Sequence, residues 1–124
     1  MWEEARRILS TKIAETPDDE RLHSSLGIAL AGLGRTADAV REGEHGLELM
    51  PPARDAYRGT YRIEDLARIH AMVGQRDAAI QRLDELLSRP SWVSVPLLRL
   101  DPCWDSLRKD PKFEALLAKY EVRP

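Results

Sequence analysis

Apolar positions recur along this chain with the period of a helix, not with the two-residue alternation of a strand. Within residues 20–51, Leu22, Leu26 and Leu30 share one helical face, and Ala39, Val40 and Leu47 share the face of a following segment. Gly34 separates the two, where a helix ends most readily, and Pro51-Pro52 stop the second. The same reading predicts helices at residues 2–15, 17–32, 36–50, 54–73 and 78–89. In the first of these Ala5, Ile8, Leu9 and Ile13 lie on one side, with Glu3, Arg7, Lys12 and Glu15 largely outside it. Thr16-Pro17-Asp18-Asp19 reads as a start signal: threonine caps, proline takes the first helical position, and two carboxylates meet the helix dipole.

Two details bear on packing. Gly43 and Gly46 interrupt the helix at 36–50, each at a cost of about 0.8–1 kcal/mol relative to alanine. Close approach of a neighbouring helix is the expected reason. The stretch 92–100 is apolar but too short for a helix pair. It leads to two near-copies, Asp101-Pro102-Cys103-Trp104 with Leu107 and Asp110-Pro111-Lys112-Phe113 with Leu116. In each, Asp caps, Pro opens the helix and the aromatic enters the core, which predicts short helices at 102–108 and 111–120.

The segments repeat. Shifting the unit at residues 20–51 back by 34 residues lays Ala39 on Ala5, Leu47 on Ile13 and Pro51 on Pro17. Shifting it forward by 40 lays Leu26 on Leu66, Gly34 on Gly74, Ala39 on Ala79 and Leu47 on Leu87. Six extra residues around 52–57 account for the longer second shift, and they read as an extension of the helix that follows.

Leu26-Gly27, Leu30, Ala39 and Pro51 together resemble the tetratricopeptide repeat, whose signature runs W-x2-L-G-x2-Y…A…P over about 34 residues. The resemblance implies an all-α, tetratricopeptide-like solenoid of antiparallel helix pairs. It divides the chain into a half repeat at 1–17, full repeats at 18–51 and 54–90, and a closing cap at 91–124. The tail, LLRLDPCWDSLRKDPKFEALL, with Glu64-Asp65-Leu66-Ala67-Arg68-Ile69-His70 before it, looks like the end of such arrays in bacterial multidomain signalling proteins. That likeness implies a regulatory C-terminal piece of something longer, and the half repeat at the start gives the same expectation.

Composition narrows the partners. Nineteen basic residues against 21 acidic ones leave a net charge of −2, which offers no general attraction to nucleic acid or anionic lipid. No apolar run approaches the ~20 residues of a membrane helix. The single cysteine excludes an internal disulfide and fits a reducing, cytoplasmic setting.

Catalytic signatures are scarce. There is no phosphate loop, no GxSxG, no CxxC and no HExxH. Cys103 stands beside Trp104 without a nearby histidine and reads as a small core residue. Glu20-x-x-His23 and Glu42-x-x-His45 both match the E-x-x-H element of di-metal carboxylate bundles, which needs two further inward glutamates. Packed or surface histidines are the simpler reading, as for His70. The chain is therefore expected to be non-enzymatic, without metal or cofactor.

In the architecture that the resemblance implies, the first helix of each repeat lines a concave face. By register that face presents Arg21, Ser24, Ser25, Ile28 and Ala31, then Tyr61, Glu64, Asp65, Arg68 and Met72. This mixture suits an extended or helical peptide held by a few anchors. The alternative is self-association, as a homodimer, through Ile8, Leu9 and Ile13, which the missing half of the first repeat leaves uncovered.

Overall fold

Among residues 1–121, which the computed structural model describes, the chain forms eight helical segments and no strand. They are α1 (Trp2–Glu15), α2 (Glu20–Gly32), α3 (Thr36–Leu49), α4 (Ala56–Met72), α5 (Arg76–Leu87), α6 (Val95–Leu100), a 3₁₀ turn (Pro102–Leu107) and α7 (Pro111–Tyr120). Two tight turns organise them. Gly34, with φ of 78°, lets Arg35 N–H donate to the Leu30 carbonyl at 2.9 Å. Gly74, with φ of 81°, lets Gln75 N–H donate to the His70 carbonyl at 2.9 Å. Both are left-handed caps that glycine adopts without strain, and each folds one helix back along its predecessor.

Helix α2 packs on α1, α3 and α4, while α4 packs on α2, α3 and α5. Two apolar clusters result. One gathers Leu26, Leu30, Ala31, Ala39 and Ile69, with Leu9, Ile13 and Val40 at its edge. The other centres on Ile63, Ala67, Leu83 and Leu86 and takes in Trp104, Leu107, Phe113 and Leu117 from the tail. The glycines of α3 sit where the helices touch. A Cβ on Gly43 would lie 2.7 Å from Ile69 Cδ1, and one on Gly46 would lie 2.8 Å from Ser24 Oγ and 3.0 Å from the Glu20 carbonyl. Close approach therefore explains both residues.

Several boundaries differ from the sequence expectation. Helix α2 starts at Glu20, not at residue 17: the Asp19 carboxylate caps it by accepting from Arg21 N–H at 3.0 Å. Thr16 instead ends α1, its Oγ1 donating to the Lys12 carbonyl, because a residue before proline is held out of the helical region. Helix α4 starts at Ala56, capped by Asp55. The preceding residues fold as a turn whose Pro52 lies against Gly59. They are thus not a helical extension: Asp55 adopts an extended backbone and caps α4 with its carboxylate. Helix α5 begins two residues early, at Arg76.

The tail follows the predicted caps. Asp101 accepts from Cys103 N–H and Asp110 from Lys112 N–H, each at 2.9 Å. Trp104 and Phe113 are buried, and the two elements cover α4 and α5. Helix α6 was not anticipated; Ser94 caps it and Pro96 occupies its first turn. Among the described residues no helix is long and apolar enough to cross a membrane.

The apolar side of the N-terminal helix is partly covered. Leu9 and Ile13 pack against the α2 cluster, and the Trp2 ring covers Gly32. Ile8 alone of the three predicted association residues is largely exposed, at 41%. Helix α2 thus covers part of the apolar side of α1, which has no fully buried residue.

Candidate functional site

The helix-facing pattern that buries one side of α2 and α4 leaves the other side of their N-terminal halves in contact across a shallow groove. A cavity of about 540 Å³ lies there, lined by Glu20, Arg21, Tyr57, Arg58, Tyr61 and Arg62. Tyr57 and Tyr61 are one helical turn apart on α4, so their rings meet edge to face with centroids 5.1 Å apart. Trp92, from the loop after α5, stands 6.0 Å beyond Tyr61. Tyr57 and Trp92 are 71% and 48% exposed, which is unusual for large rings near a core. Together the three rings form an open aromatic row.

Charge fixes the groove floor. Glu20 is buried and accepts from Arg58 Nε at 3.0 Å, with a second, shorter contact from Arg58 Nη2. Arg62 Nη1 donates to the Glu20 carbonyl at 3.2 Å, and Arg62 pairs with Asp65 at 3.3 Å. Arg21 pairs with Asp19 through Nε and Nη2, at 3.1 and 3.0 Å, and this bond holds Asp19 below the usual carboxylate range. Further along α4, Glu64 Oε1 accepts from Arg68 Nε and Nη2 at 3.0 and 2.7 Å. Burial pushes both Glu64 and Asp65 above the usual carboxylate range, outweighing the arginines beside them. Arg68 in turn lies 5.8 Å over the Trp104 ring, a cation–π contact.

The residues expected on this face divide. Arg21 and Tyr61 line the groove, and Glu64, Asp65 and Arg68 continue along α4 as a chain of ion pairs. Ser24 does not belong to a surface: it is fully buried against Gly46, between α2 and α3. Ala31 is buried too, and Ile28 packs against the α2 cluster. Ser25 and Met72 are exposed but do not line the cavity. Sequence register missed Glu20, Tyr57, Arg58, Arg62 and Trp92. The four-residue spacing of Tyr57 with Tyr61 and of Arg58 with Arg62 was the available signal, since it sets two rings and two guanidiniums in adjacent rows.

The other chemical candidates do not assemble. Glu20 faces Arg58 while His23 turns away from it, its Nδ1 2.7 Å from Glu42 Oε2 and its Nε2 2.6 Å from the Pro17 carbonyl. Both ring nitrogens are occupied, and His45 meets His23 edge-on. Among the described residues no three His, Cys, Asp or Glu side chains converge as metal ligands. His70 bonds Gln75 through Nδ1. Burial beside Trp104 pushes the Cys103 thiol up to about 11, which keeps it protonated and unreactive at neutral pH. A second hollow, of about 470 Å³, lies between Leu87, Pro96 and Tyr120. Its cation, Arg99, is paired with Glu114 and Glu121, carboxylates that are more exposed than the guanidinium itself.

No protein-family model, no curated protein and no solved structure matches this chain.

Proposed function

We propose that this protein is a non-enzymatic interaction module, a tetratricopeptide-like stack that holds a peptide or protein segment across the N-terminal halves of α2 and α4. The observation that carries this reading is the row Tyr57–Tyr61–Trp92, its two outer rings exposed, beside a groove whose charged floor is already ordered by ion pairs. Aromatic side chains offer large contact area at low entropic cost, and they dominate the energetics of recognition surfaces. Rigid arginines beside them add direction without further ordering.

Support for the stacked architecture comes from two features. The same glycine turn closes both helix hairpins, 40 residues apart, as the repeat register requires. Helix α2 also contacts α4, so successive first helices lie side by side. The resemblance of the tail to bacterial signalling arrays suggests a regulatory role in a larger cytoplasmic protein.

An array of immobilised decapeptides of varied sequence tests this reading. Wild-type protein should be retained by a subset of peptides, and the Tyr57→Ala/Trp92→Ala variant should lose most of that retention. If no peptide is retained, or the double variant is retained equally, the reading is wrong.

A further inference from the structure

We infer that the segment bound here is acidic: its carboxylates meet Arg21 and Arg58, and an apolar or aromatic side chain lies against Tyr57, Tyr61 and Trp92. The inference rests on the peptide-binding reading above and adds the chemistry of the partner.

The two signs of charge differ in exposure at this groove. The Arg21 and Arg58 side chains are 72% and 50% exposed, whereas those of their partners Asp19 and Glu20 are 23% and 3% exposed. Guanidiniums face the solvent, and the carboxylates stand behind them. An approaching segment therefore meets positive charge first, although the ion pairs are balanced in number.

Hydrogen-bonding capacity points the same way. Arg21 and Arg58 each spend Nε and Nη2 on the carboxylate behind, and among the described residues Nη1 of neither makes a hydrogen bond. A planar guanidinium with one edge anchored keeps its other donors fixed in direction, ready for a second carboxylate. The anchoring is built in before any ligand arrives, which lowers the ordering cost of binding.

The remaining walls exclude other partners. A polyanion such as single-stranded nucleic acid would stack on the rings, but beyond Arg21 and Arg58 the next cations along α4, Arg62 and Arg68, are only 9% and 30% exposed and already paired, which leaves a phosphate backbone few outward charges to follow. For a basic segment the groove lining offers one carboxylate, Glu20, whose side chain is 3% exposed. A short acidic peptide with one large apolar anchor meets both features at once.

The test uses the full chain and an array in which a central Trp, Phe or Leu is flanked by randomised Glu, Gln and Lys. Retained peptides should be enriched in Glu. The strongest of them, fluorescein-labelled and followed by anisotropy, should bind at least about tenfold tighter than its Glu-to-Gln counterpart. Its affinity should fall as salt rises from about 50 to about 500 mM. The Arg21→Gln/Arg58→Gln variant should abolish the preference, with thermal melting followed by circular dichroism confirming that it folds. The salt dependence of the wild type stands as a readout that needs no variant. Retention of neutral or Lys-rich peptides in place of acidic ones overturns this inference and leaves the peptide-binding reading intact. Retention of no peptide overturns both. Tighter binding of a labelled oligouridine than of any peptide also overturns it.

Discussion

Arg58 on α4 reaches across to Glu20 on α2, its Nε donating at 3.0 Å to a carboxylate whose side chain is 3% exposed. This contact joins the two helices that form the groove, and the adjacent Arg62 reinforces it through the Glu20 carbonyl. Removing the guanidinium strands a buried charge. Arg58→Ala is expected to cost about 2 kcal/mol, less than the ~3–5 for a fully buried pair because Arg58 is half exposed. Adding Glu20→Gln should recover part of the loss. Urea denaturation of wild type and the two variants reads both effects; equal stability of Arg58→Ala and wild type contradicts the account.

Two glycines should respond in opposite ways to size. Nothing lies within 4 Å of a Cβ on Gly34, whose φ of 78° is the difficulty. Gly34→Ala should therefore cost about 1 kcal/mol, and Gly34→Asn less, since asparagine tolerates this region. Gly46 lies in ordinary helix but touches Ser24 and the Glu20 carbonyl. There alanine gains about 1 kcal/mol of helix propensity and loses about 1–3 to overpacking. A net loss is expected, larger still for Gly46→Val, and thermal melts decide it.

Leu9 packs, half-buried, on the α2 cluster. Leu9→Glu should lower the urea midpoint, at a cost of about 1–2 kcal/mol, and leave the molar mass in solution unchanged. A wild-type dimer that this substitution splits without loss of stability would restore the self-association reading.

The helical periods, the glycine turns and the paired Asp-Pro caps of the tail were all legible because each depends on neighbours within a turn of sequence. Gly43 and Gly46 could be read too, since a glycine inside a helix asks for a packing reason. What escaped depends on distant partners. Asp19 caps α2 while the Thr16 hydroxyl is already spent on the Lys12 carbonyl at the end of α1. The residues around Pro52 fold over Gly59, which no local pattern announces. The groove itself was half legible. Arg21 and Tyr61 follow from register, but Ser24 is sealed by Gly46 and Trp92 arrives from a loop with no period to read.

Burial raises the Glu64 carboxyl above its ordinary range. Between the unfolded and the raised folded value, the native state holds more protons than the unfolded one, so stability falls as pH rises through that window. The contribution is fully present below the unfolded value and lost above the folded one. Glu64→Gln removes this titration. The stability of the variant relative to wild type should therefore rise as pH goes from about 4 to about 7. Urea midpoints at the two ends check the sign, and a constant difference contradicts it.

The most direct test of the central claim is amide chemical-shift mapping of the isotopically labelled chain with the strongest array-retained peptide. The account predicts shifts concentrated at residues 20–25, 57–62 and the loop around Trp92. Shifts confined to α1 or to the hollow beside Pro96 and Tyr120, with the α2–α4 groove silent, would contradict it.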